Sequence, residues 1–441
     1  MISSTSAEVN AVETAVSAPV SSLKIAYTIQ NVGLKLTKRV GDVVPVRNTL
    51  DGLKKNGHEV HVFELGSRSI TKVLDVGQID QKVPTPITIT GKRPFLLAES
   101  AVRRLQYTLN LPYFAFIDSW RFYDGLSQTI DSYDLCHEHN GLFSPATAWA
   151  CKNQNKPYVL TFSADPILEA EYVNKPLKGI HKTIAARQAA FTYAEADQIL
   201  CVSEPAKQHL VETWQVNPDK INVMPNGVDI ELFGQTFDPK PIRAHWDLGN
   251  GPVISFVGGF QKWHGLENLV DSFVEIQKVY PQARLFLVGD GPYRTELDHK
   301  VKASGVQEKI VITGFVPQEQ VPQLLSVADI TVLPYPQLPK DLWFSPLKMY
   351  EYMAAGKAVV ASSAGQIAEV IEDGETGLLV KPGDVSALTD ALIELLAHPD
   401  KREQLAENGR LQAIRNHSWT HYIRKLEQIY EKAVQGRRTK T

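Results

Sequence analysis

The sequence predicts an α/β fold built from two Rossmann-like, doubly wound domains. The chain has 441 residues, more than one ordinary hydrophobic core accommodates, so two domains are expected. In both halves, apolar runs of strand length alternate with stretches of helical periodicity. The composition, 43% hydrophobic and 22% charged residues, is that of a globular protein.

The first half opens with a β-loop-α-β pattern, as in a doubly wound sheet. An apolar run at 23–29 leads into a polar loop. A helix over 43–53 and a strand at 59–63 follow. Further strands are predicted at 158–162 and 198–202, with a helix over 185–195 between them. Ser203 is predicted to cap the next helix at its N-terminus.

The second half repeats this alternation after a segment rich in turn-forming residues. Strands are predicted at 253–257, 285–288, 310–312, 330–333 and 358–361, and Asp384 is predicted to begin a later helix. The expected organisation is a flexible tail (1–22), a first domain (23–235), a linker (236–251), a second domain (252–416), and a final helix with a tail (417–441).

Charge and composition exclude several classes of protein. The 46 Lys and Arg residues against 49 acidic residues leave a net charge of -3, which argues against a dedicated nucleic-acid binder. Three widely spaced cysteines indicate neither a disulfide framework nor a zinc site. No apolar run reaches membrane-spanning length, and residues 1–22 do not resemble a secretory signal. We therefore expect a cytoplasmic protein without a metal.

Ligands of open α/β sheets bind on loops that follow strands and precede helices. The first such loop, 30–42, contains Gly41 and three cations, and it is either a phosphate contact or a basic surface loop. It lacks the G-x-G-x-x-G fingerprint, which weighs against a nicotinamide enzyme. The second loop, 258–265, contains Gly259, Lys262 and His264. Here His264 is either a phosphate ligand or a capping or core histidine.

The third loop leads into a predicted helix that starts at Ser345-Pro346, with Ser345 as N-cap and Pro346 in the first position. Lys348 and Glu351 then lie three residues apart on one helical face. The helix amides and the lysine suit a diphosphate, and the carboxylate suits a ribose diol. The alternative is an ordinary surface Lys–Glu pair.

Several motifs occur in order and at suitable spacing along most of the chain. With them, the sequence resembles the group-1, or family-4, retaining glycosyltransferases of the GT-B fold. The matching stretches lie at 57–60, 224–229, 257–259, 264–265, 287–292, 313–316, 328–330, 333–335, 345–356 and 374–380.

The resemblance implies a nucleoside-diphosphate sugar as co-substrate, bound mainly by the second of two facing domains, with no further cofactor. In this comparison Glu351 holds the ribose hydroxyls, and the backbone around Phe315 and Val316 borders the base. The expected donor-binding residues are Gly41, Gly259, Phe315, Val316, Ser345, Pro346, Leu347 and Glu351.

Acceptor binding is expected in the first domain, with the final helix crossing back onto it. His137, Asn140 and Ser163 are the candidates there. The candidate catalytic groups are Lys262, His264, Lys348, His139 and Asp165. The acceptor class stays open between a glycan, a lipid-linked glycan and a small molecule. Nucleic acid is not expected as a partner, and association with a membrane would be peripheral.

This sequence departs from the family pattern at several positions. Trp343 stands eight residues before Glu351, where a glutamate is usual. Gly259 replaces a common arginine and His264 a common lysine, while Ser163 replaces a frequent histidine. We expect Lys262, His264 and Lys348 to compensate in the donor loops.

Two other functions remain open on the same fold. A nucleotide-sugar epimerase would release a new sugar isomer from donor alone. A non-catalytic binding protein would bind nucleotide without turnover. For transfer with retention, we expect the acceptor hydroxyl to attack from the face of the departing diphosphate, without a carboxylate nucleophile.

Overall fold

The computed structural model describes residues 21–30, 34, 36–37, 43–66, 68–109, 114–172, 176–338 and 345–439. These residues form two compact units. The first unit holds the described residues before Asn226 together with those from Ile423 onward, and the second unit holds Asn226 to Tyr422.

The first unit contains an eight-stranded sheet in the order β4-β3-β2-β1-β5-β6-β7-β8. Its strands are β1 (Lys24–Ile29), β2 (Glu59–Gly66), β3 (Ser69–Val73), β4 (Lys82–Pro84), β5 (Leu135–His139), β6 (Tyr158–Phe162), β7 (Gln198–Cys201) and β8 (Ile221–Val223). Its helices are α1 (Val43–Lys55), α2 (Arg93–Thr108), α3 (Phe114–Ser127), α4 (Ala146–Asn153), α5 (Pro166–Tyr172), α6 (Gly179–Glu195) and α7 (Glu204–Glu212).

The order of this sheet reverses beside β1. Strand β1 pairs in parallel with β2 on one side and with β5 on the other, whereas β3 and β4 extend the sheet in antiparallel fashion. Such a reversal leaves a crevice at the carboxyl ends of β1 and β5. Gly41, predicted to bind the donor, lies outside the described residues of the loop after β1.

The second unit contains a six-stranded parallel sheet in the order β11-β10-β9-β12-β13-β14. Its strands are β9 (Val253–Val257), β10 (Arg284–Val288), β11 (Ile310–Ile312), β12 (Ile330–Leu333), β13 (Ala358–Ser362) and β14 (Leu378–Val380). Its helices are α8 (Ile230–Phe233), α9 (Pro239–His245), α10 (Leu266–Val279), α11 (Arg294–Ala303), α12 (Val321–Leu325), α13 (Leu347–Ala354), α14 (Ile367–Val370), α15 (Val385–Ala397) and α16 (Pro399–Asn416).

Both faces of the second sheet are covered, because alternate residues of each strand enter different clusters. Ile254 and Phe256 of β9 pack with α10 and α15, whereas Val253 and Val257 pack with α12 and α13. This explains why β9 is apolar at nearly every position instead of alternating. It also leaves the carboxyl ends of β9 and β12, at the reversal of strand order, as the place for a ligand.

The junction between the units differs from the predicted linker. Val228 donates its amide hydrogen to His417 and accepts one from Trp419, so the chain joins the second unit already near Asn226. The predicted linker segment, 236–251, contains α9. Turn-rich composition marked this segment in the sequence, but its proline residues lie in the first turn of a helix, where proline is tolerated.

The final helix, α17 (Trp419–Arg438), supplies the last part of the first unit. Asn56 donates a hydrogen bond to Glu427 (2.8 Å), and His58 lies 3.0 Å from the same carboxylate. The return of the chain to the first unit confirms the predicted crossing of this helix.

Two of the three predicted helix caps are confirmed. The Ser203 hydroxyl accepts from the Ala206 amide, and the Asp384 carboxylate accepts from Ala387. The prediction for Ser345 is wrong, because Pro346 occupies the N-cap position of α13 and helical geometry begins at Leu347. The Ser345 hydroxyl instead accepts from the backbone amide of Asn226 at 3.0 Å.

Candidate functional site

The reversal point of the second sheet brings together the glycine loop after β9 and the start of α13. Tyr352 of α13 connects the two directly. Its hydroxyl accepts from the Val257 amide (2.7 Å) and donates to the Val257 carbonyl (3.1 Å) at the end of β9. Sequence analysis gave Tyr352 no role, although it directly follows Glu351 in the motif. Through this residue the helix is held against the loop.

Lys348 lies across the glycine loop. Its ammonium group stands 4.3 Å from the centre of the buried Phe256 ring, which is a cation–π contact. A side chain at Gly258 would place its Cβ only 2.9 Å from the same nitrogen, and Gly258 also has a φ of +140°. The backbone conformation therefore favours glycine at this position, and a side chain there would also displace the end of Lys348.

His264 fixes Lys348 from the other side of the loop. Its Nδ1 lies 2.5 Å from the carbonyl oxygen of Gly259, and its Nε2 lies 3.4 Å from the Lys348 nitrogen. A carbonyl only accepts, so Nδ1 carries the proton. Burial, together with the charge of Lys348, lowers the His264 pKa to about 2. The ring is therefore neutral and its Nε2 accepts from Lys348, so in this state His264 positions the lysine and does not itself donate to a phosphate.

Glu351 lies one helical turn beyond Lys348, as predicted. Gln318, in the short helical turn after the 313–317 loop, is 3.5 Å from its carboxylate. Burial lowers the pKa of Lys348 to about 7, against the influence of Glu351. Burial likewise raises the pKa of Glu351 to about 7, against the influence of Lys348 and Gln318. These two groups are not an ordinary surface pair, because both are poorly solvated.

Ser345 ties the start of α13 to Asn226 by hydrogen bonds. Besides the bond from the Asn226 amide, its carbonyl accepts from the Asn226 side chain at 2.8 Å. Its hydroxyl donates to the Tyr350 hydroxyl, which in turn donates to Gln366. The hydroxyl of Ser345 is thus already engaged, and the N-terminus of α13 follows it directly, with Pro346 as N-cap and Leu347 as the first helical residue.

The remaining residues predicted for the donor loops, with the catalytic candidate Lys262 among them, lie outside the regular strands of the same unit. Phe315 is 69% exposed, while Val316 packs partly against the core. Lys262 is exposed beside His264 in a short helical turn. At Gly259 a Cβ would meet only the Asp290 carbonyl at 3.9 Å, so no steric conflict excludes a larger side chain there.

His137, predicted to contact the acceptor, is part of the core of the first unit. His137 is fully buried, with its ring nitrogens 2.6 Å from Tyr430 and 2.6 Å from Thr161, and burial lowers its pKa to about 3. The prediction that it contacts an acceptor is corrected accordingly. Its position in a strand could not reveal this, because Tyr430 comes from the final helix.

Asp165 is also corrected, from catalytic residue to structural anchor. One carboxylate oxygen accepts from His209 (2.8 Å) and Trp214 (2.9 Å), and the other from the Ile167 amide (2.8 Å). Burial alone would raise the pKa of Asp165, but these hydrogen bonds outweigh it and hold the pKa below its usual value. A carboxylate bonded on both oxygens is a poor base.

His139 remains a candidate at the carboxyl end of β5. Its Nε2 lies 3.4 Å from the Ser163 hydroxyl, so these two predicted residues are neighbours. Its Nδ1 is buried and, in the part of the chain described, has no hydrogen-bond partner. Burial lowers its pKa to about 4, so the ring is neutral. Asn140 follows, near the Ala164 carbonyl and the Tyr193 hydroxyl (3.4 Å each).

Glu138 was missed by sequence analysis. This carboxyl group is fully buried between Gln30 and Tyr158, which both hydrogen-bond to it. Burial raises its pKa to about 8, although the bonds from Tyr158 and Gln30 act the other way. The available signal was a glutamate between two histidines in a short strand that begins with apolar residues.

Within the described ranges, no group of three or more His, Cys, Asp or Glu side chains is arranged to hold a metal ion. None of the helices in those ranges has the length and apolar character needed to span a bilayer.

Two family models match this chain, one over each half. The model described as glycosyl transferases group 1 matches residues 240–412, and the model for glycosyltransferase family 4 matches residues 43–232. The chain belongs to the group-1, or family-4, glycosyltransferases. The two matches together cover most of both units of this family member.

Curated relatives agree with this assignment. An alpha-D-kanosaminyltransferase of Streptomyces kanamyceticus is 30% identical over 38% of this chain and 42% of its own length. A GDP-mannose-dependent alpha-(1-6)-phosphatidylinositol monomannoside mannosyltransferase of Mycolicibacterium smegmatis is 30% identical over 51% of this chain and 59% of its own length. The aligned regions thus span about half of these relatives.

The fold of this family member is GT-B, as predicted. The sucrose-phosphate synthase of Thermosynechococcus elongatus superposes with a TM-score of 0.68 at 19% identity, over 94% of this chain and 100% of that one. At so low a sequence identity, the similarity shows only that the two chains share a fold.

Proposed function

We propose that this protein transfers a sugar from a nucleoside-diphosphate sugar to an acceptor hydroxyl, with retention of the anomeric configuration. The observation that best supports this proposal is the position of Lys348 and Glu351 on one face of α13, next to the glycine loop that follows β9. A helix N-terminus, a cation and a carboxylate at the reversal point of a parallel sheet fit the parts of a nucleoside diphosphate.

Each part of the donor has a matching group in this proposal. The first amides of α13 and the ammonium of Lys348 bind the diphosphate, with the exposed Lys262 as a second charge. The Glu351 carboxylate accepts hydrogen bonds from the ribose hydroxyls. The exposed ring of Phe315 lies on the loop proposed to border the base.

Catalysis follows from charge development on the leaving diphosphate. As the anomeric bond loosens, negative charge grows on the oxygen facing α13 and Lys348. Preorganised donors at such a position typically lower the barrier by about 3 kcal/mol each. The acceptor hydroxyl attacks from the same face, and its proton passes to a phosphate oxygen of the leaving group, so that the configuration is retained without a protein nucleophile.

The acceptor is proposed to meet the first domain near His139 and Ser163. Relatives differ in this respect. One is named for transfer to a phosphatidylinositol mannoside, the other for transfer of kanosamine. A glycan, a lipid-linked glycan and a small molecule therefore all stay within the proposal.

A thermal-shift screen with nucleotides and nucleotide sugars tests the donor site. A ligand at about one hundred times its dissociation constant should stabilise the fold by roughly 2.7 kcal/mol. The control is Glu403→Ala, since Glu403 is exposed on α16. We expect one nucleoside diphosphate to stabilise the wild type and this control equally, but not Glu351→Ala. Equal stabilisation of all three proteins would contradict the assignment of Glu351.

Turnover separates the proposal from its alternatives. With the stabilising donor and a panel of acceptors, we expect release of nucleoside diphosphate that depends on acceptor, and a fall of about 100-fold or more in kcat for Lys348→Ala. Conversion of donor alone to an isomer would indicate an epimerase. Binding without any turnover would indicate a non-catalytic protein.

A further inference from the structure

The segment 224–229 supplies no group to the proposed donor site, yet it is bonded to the start of α13. The backbone amide of Asn226 donates to the Ser345 hydroxyl at 3.0 Å. The side-chain amide of Asn226 donates to the Ser345 carbonyl oxygen at 2.8 Å. The two residues are 119 positions apart in sequence. A single residue thus holds both the side chain and the backbone of Ser345, directly before α13 begins.

The backbone that carries Asn226 is itself fixed. A Cβ at the following residue, Gly227, would lie 2.8 Å from the indole ring of Trp419 and 3.2 Å from the Trp419 Cα. Val228 then donates its amide hydrogen to the His417 carbonyl at 2.7 Å and accepts from the Trp419 amide at 3.2 Å. Asn226 therefore holds Ser345 from a support that has little freedom to move.

The same hydrogen-bond chain continues into the first turns of α13. The Ser345 hydroxyl donates to the Tyr350 hydroxyl at 3.3 Å, and that hydroxyl donates to Gln366 at 2.9 Å. The Tyr350 ring also lies 4.7 Å from the His417 ring, measured between centroids. Lys348 stands in sequence between the two bonded positions, Ser345 and Tyr350. Its backbone is therefore held on both sides by this chain.

We propose that Asn226 is a positioning residue of the diphosphate site, which acts through Ser345 on the N-terminus of α13 and on Lys348. Without the side-chain amide of Asn226, the part-buried Ser345 carbonyl loses its donor and the first turn can reorient. Binding of a diphosphate must then order this turn, which lowers affinity. The inference rests on the proposed function and adds to it a residue that contributes no charge to the site.

The variant Asn226→Ala tests this role by comparing ligands with and without phosphates. The probes are UDP, GDP and ADP together with uridine, guanosine and adenosine. Titration calorimetry measures the diphosphates, and ligand-observed NMR measures the weaker nucleosides. We expect the diphosphate that binds the wild type to bind the variant about tenfold more weakly, whereas its parent nucleoside binds both proteins equally. A general loosening of the unit would not separate these two ligands.

The matched control is Asn408→Ala on α16, which should bind like the wild type. The Asn408 side-chain amide also donates to a backbone carbonyl of the same unit, that of Glu375 at 2.9 Å. Asn226→Ser is a milder variant with a shorter donor, and its diphosphate affinity should lie between those of Asn226→Ala and the wild type.

Two results would overturn the role of Asn226 while leaving the proposed donor site in place. They are unchanged diphosphate affinity of Asn226→Ala, and an equal loss of diphosphate and nucleoside affinity in both Asn226 variants. Absence of wild-type binding to all three diphosphates would instead contradict the proposed function, and the inference with it.

Discussion

Lys348 and Glu351 place opposite demands on pH if they bind a donor as proposed. The lysine must be a cation to bind diphosphate, and the carboxyl group must be an anion to accept from the ribose. Burial brings the pKa values of both groups to about 7.

We therefore predict that donor affinity is highest near neutral pH and falls on both sides. Above the lysine pKa the free site loses its cation, and below the glutamate pKa it loses its carboxylate. Affinity should fall by up to about tenfold per pH unit on each limb. Titration calorimetry with the nucleoside diphosphate measures this. Glu351→Gln should lose the acidic limb and keep the alkaline one, whereas a flat wild-type profile between about pH 5 and 9 would contradict the prediction.

Glu138 affects stability in a different way, since its carboxyl group is buried in the first unit. Its pKa is raised to about 8 in the folded state, above the ordinary value of 4.5. Between these values the folded chain holds a proton that the unfolded chain has released. Stability from this group is thus complete below the unfolded pKa and is lost as pH rises through the folded pKa.

We predict that Glu138→Gln, a neutral isostere, gains stability relative to the wild type as pH rises from about 5 to about 8, by up to about 1 kcal/mol per pH unit. Thermal unfolding at several pH values measures the difference. The exposed Glu403→Gln should show no such trend. A constant offset between Glu138→Gln and the wild type would mean that Glu138 is already ionised in the folded protein.

At the scale of elements, the close approach of two loops depends on Gly265. It joins the short helical turn of His264 to α10 with a φ of +67°, and a Cβ there would lie 1.9 Å from the Pro334 carbonyl oxygen after β12. This contact brings together the loops that follow β9 and β12, which form the proposed donor site.

We predict that Gly265→Ala destabilises the protein by about 3 kcal/mol or more, because the backbone of Pro334 must move. Gly305→Ala is the matched control, since Gly305 also has a left-handed φ of +75° but nothing within 4 Å of a Cβ. It should cost only about 1 kcal/mol. Urea unfolding compares the two, and equal losses would show that the close approach contributes nothing.

At the scale of the whole molecule, the first domain is completed by the end of the chain. Tyr430 of α17 contacts His137 at the middle of the first sheet, and Glu427 contacts His58. These residues are separated by 293 and 369 positions in sequence. The first unit therefore reaches its full set of buried hydrogen bonds only after the last helix is in place.

We predict that Tyr430→Phe lowers the unfolding free energy of the first unit by about 1–3 kcal/mol, because it leaves a buried ring nitrogen of His137 unpaired. Scanning calorimetry measures the loss. The nucleotide-induced shift should persist, since the donor site belongs to the other unit. An unchanged unfolding temperature would show that another group replaces the hydroxyl.

Much of the fold and of the donor site could be predicted from local sequence. Strand and helix periodicities identified the two α/β halves, and the family motifs located the loops after β9 and β12. Lys348 and Glu351 could be placed on one face of a helix, because residues three positions apart are neighbours on the helix surface. Caps at Ser203 and Asp384 were predictable for the same reason, since their partners lie within three residues.

Only the tertiary structure decided how the remaining side chains are used. His137 and Asp165 became structural because their partners Tyr430, His209 and Trp214 come from other elements. The tautomer of His264 depends on the Gly259 carbonyl and on Lys348, 84 residues away. Likewise, α2 turns leucines outward because its Glu99 is buried in an ion pair with Arg121 of α3. Local sequence determines which elements form, whereas the protonation, exposure and bonding of a side chain are set by neighbours that only folding brings within reach.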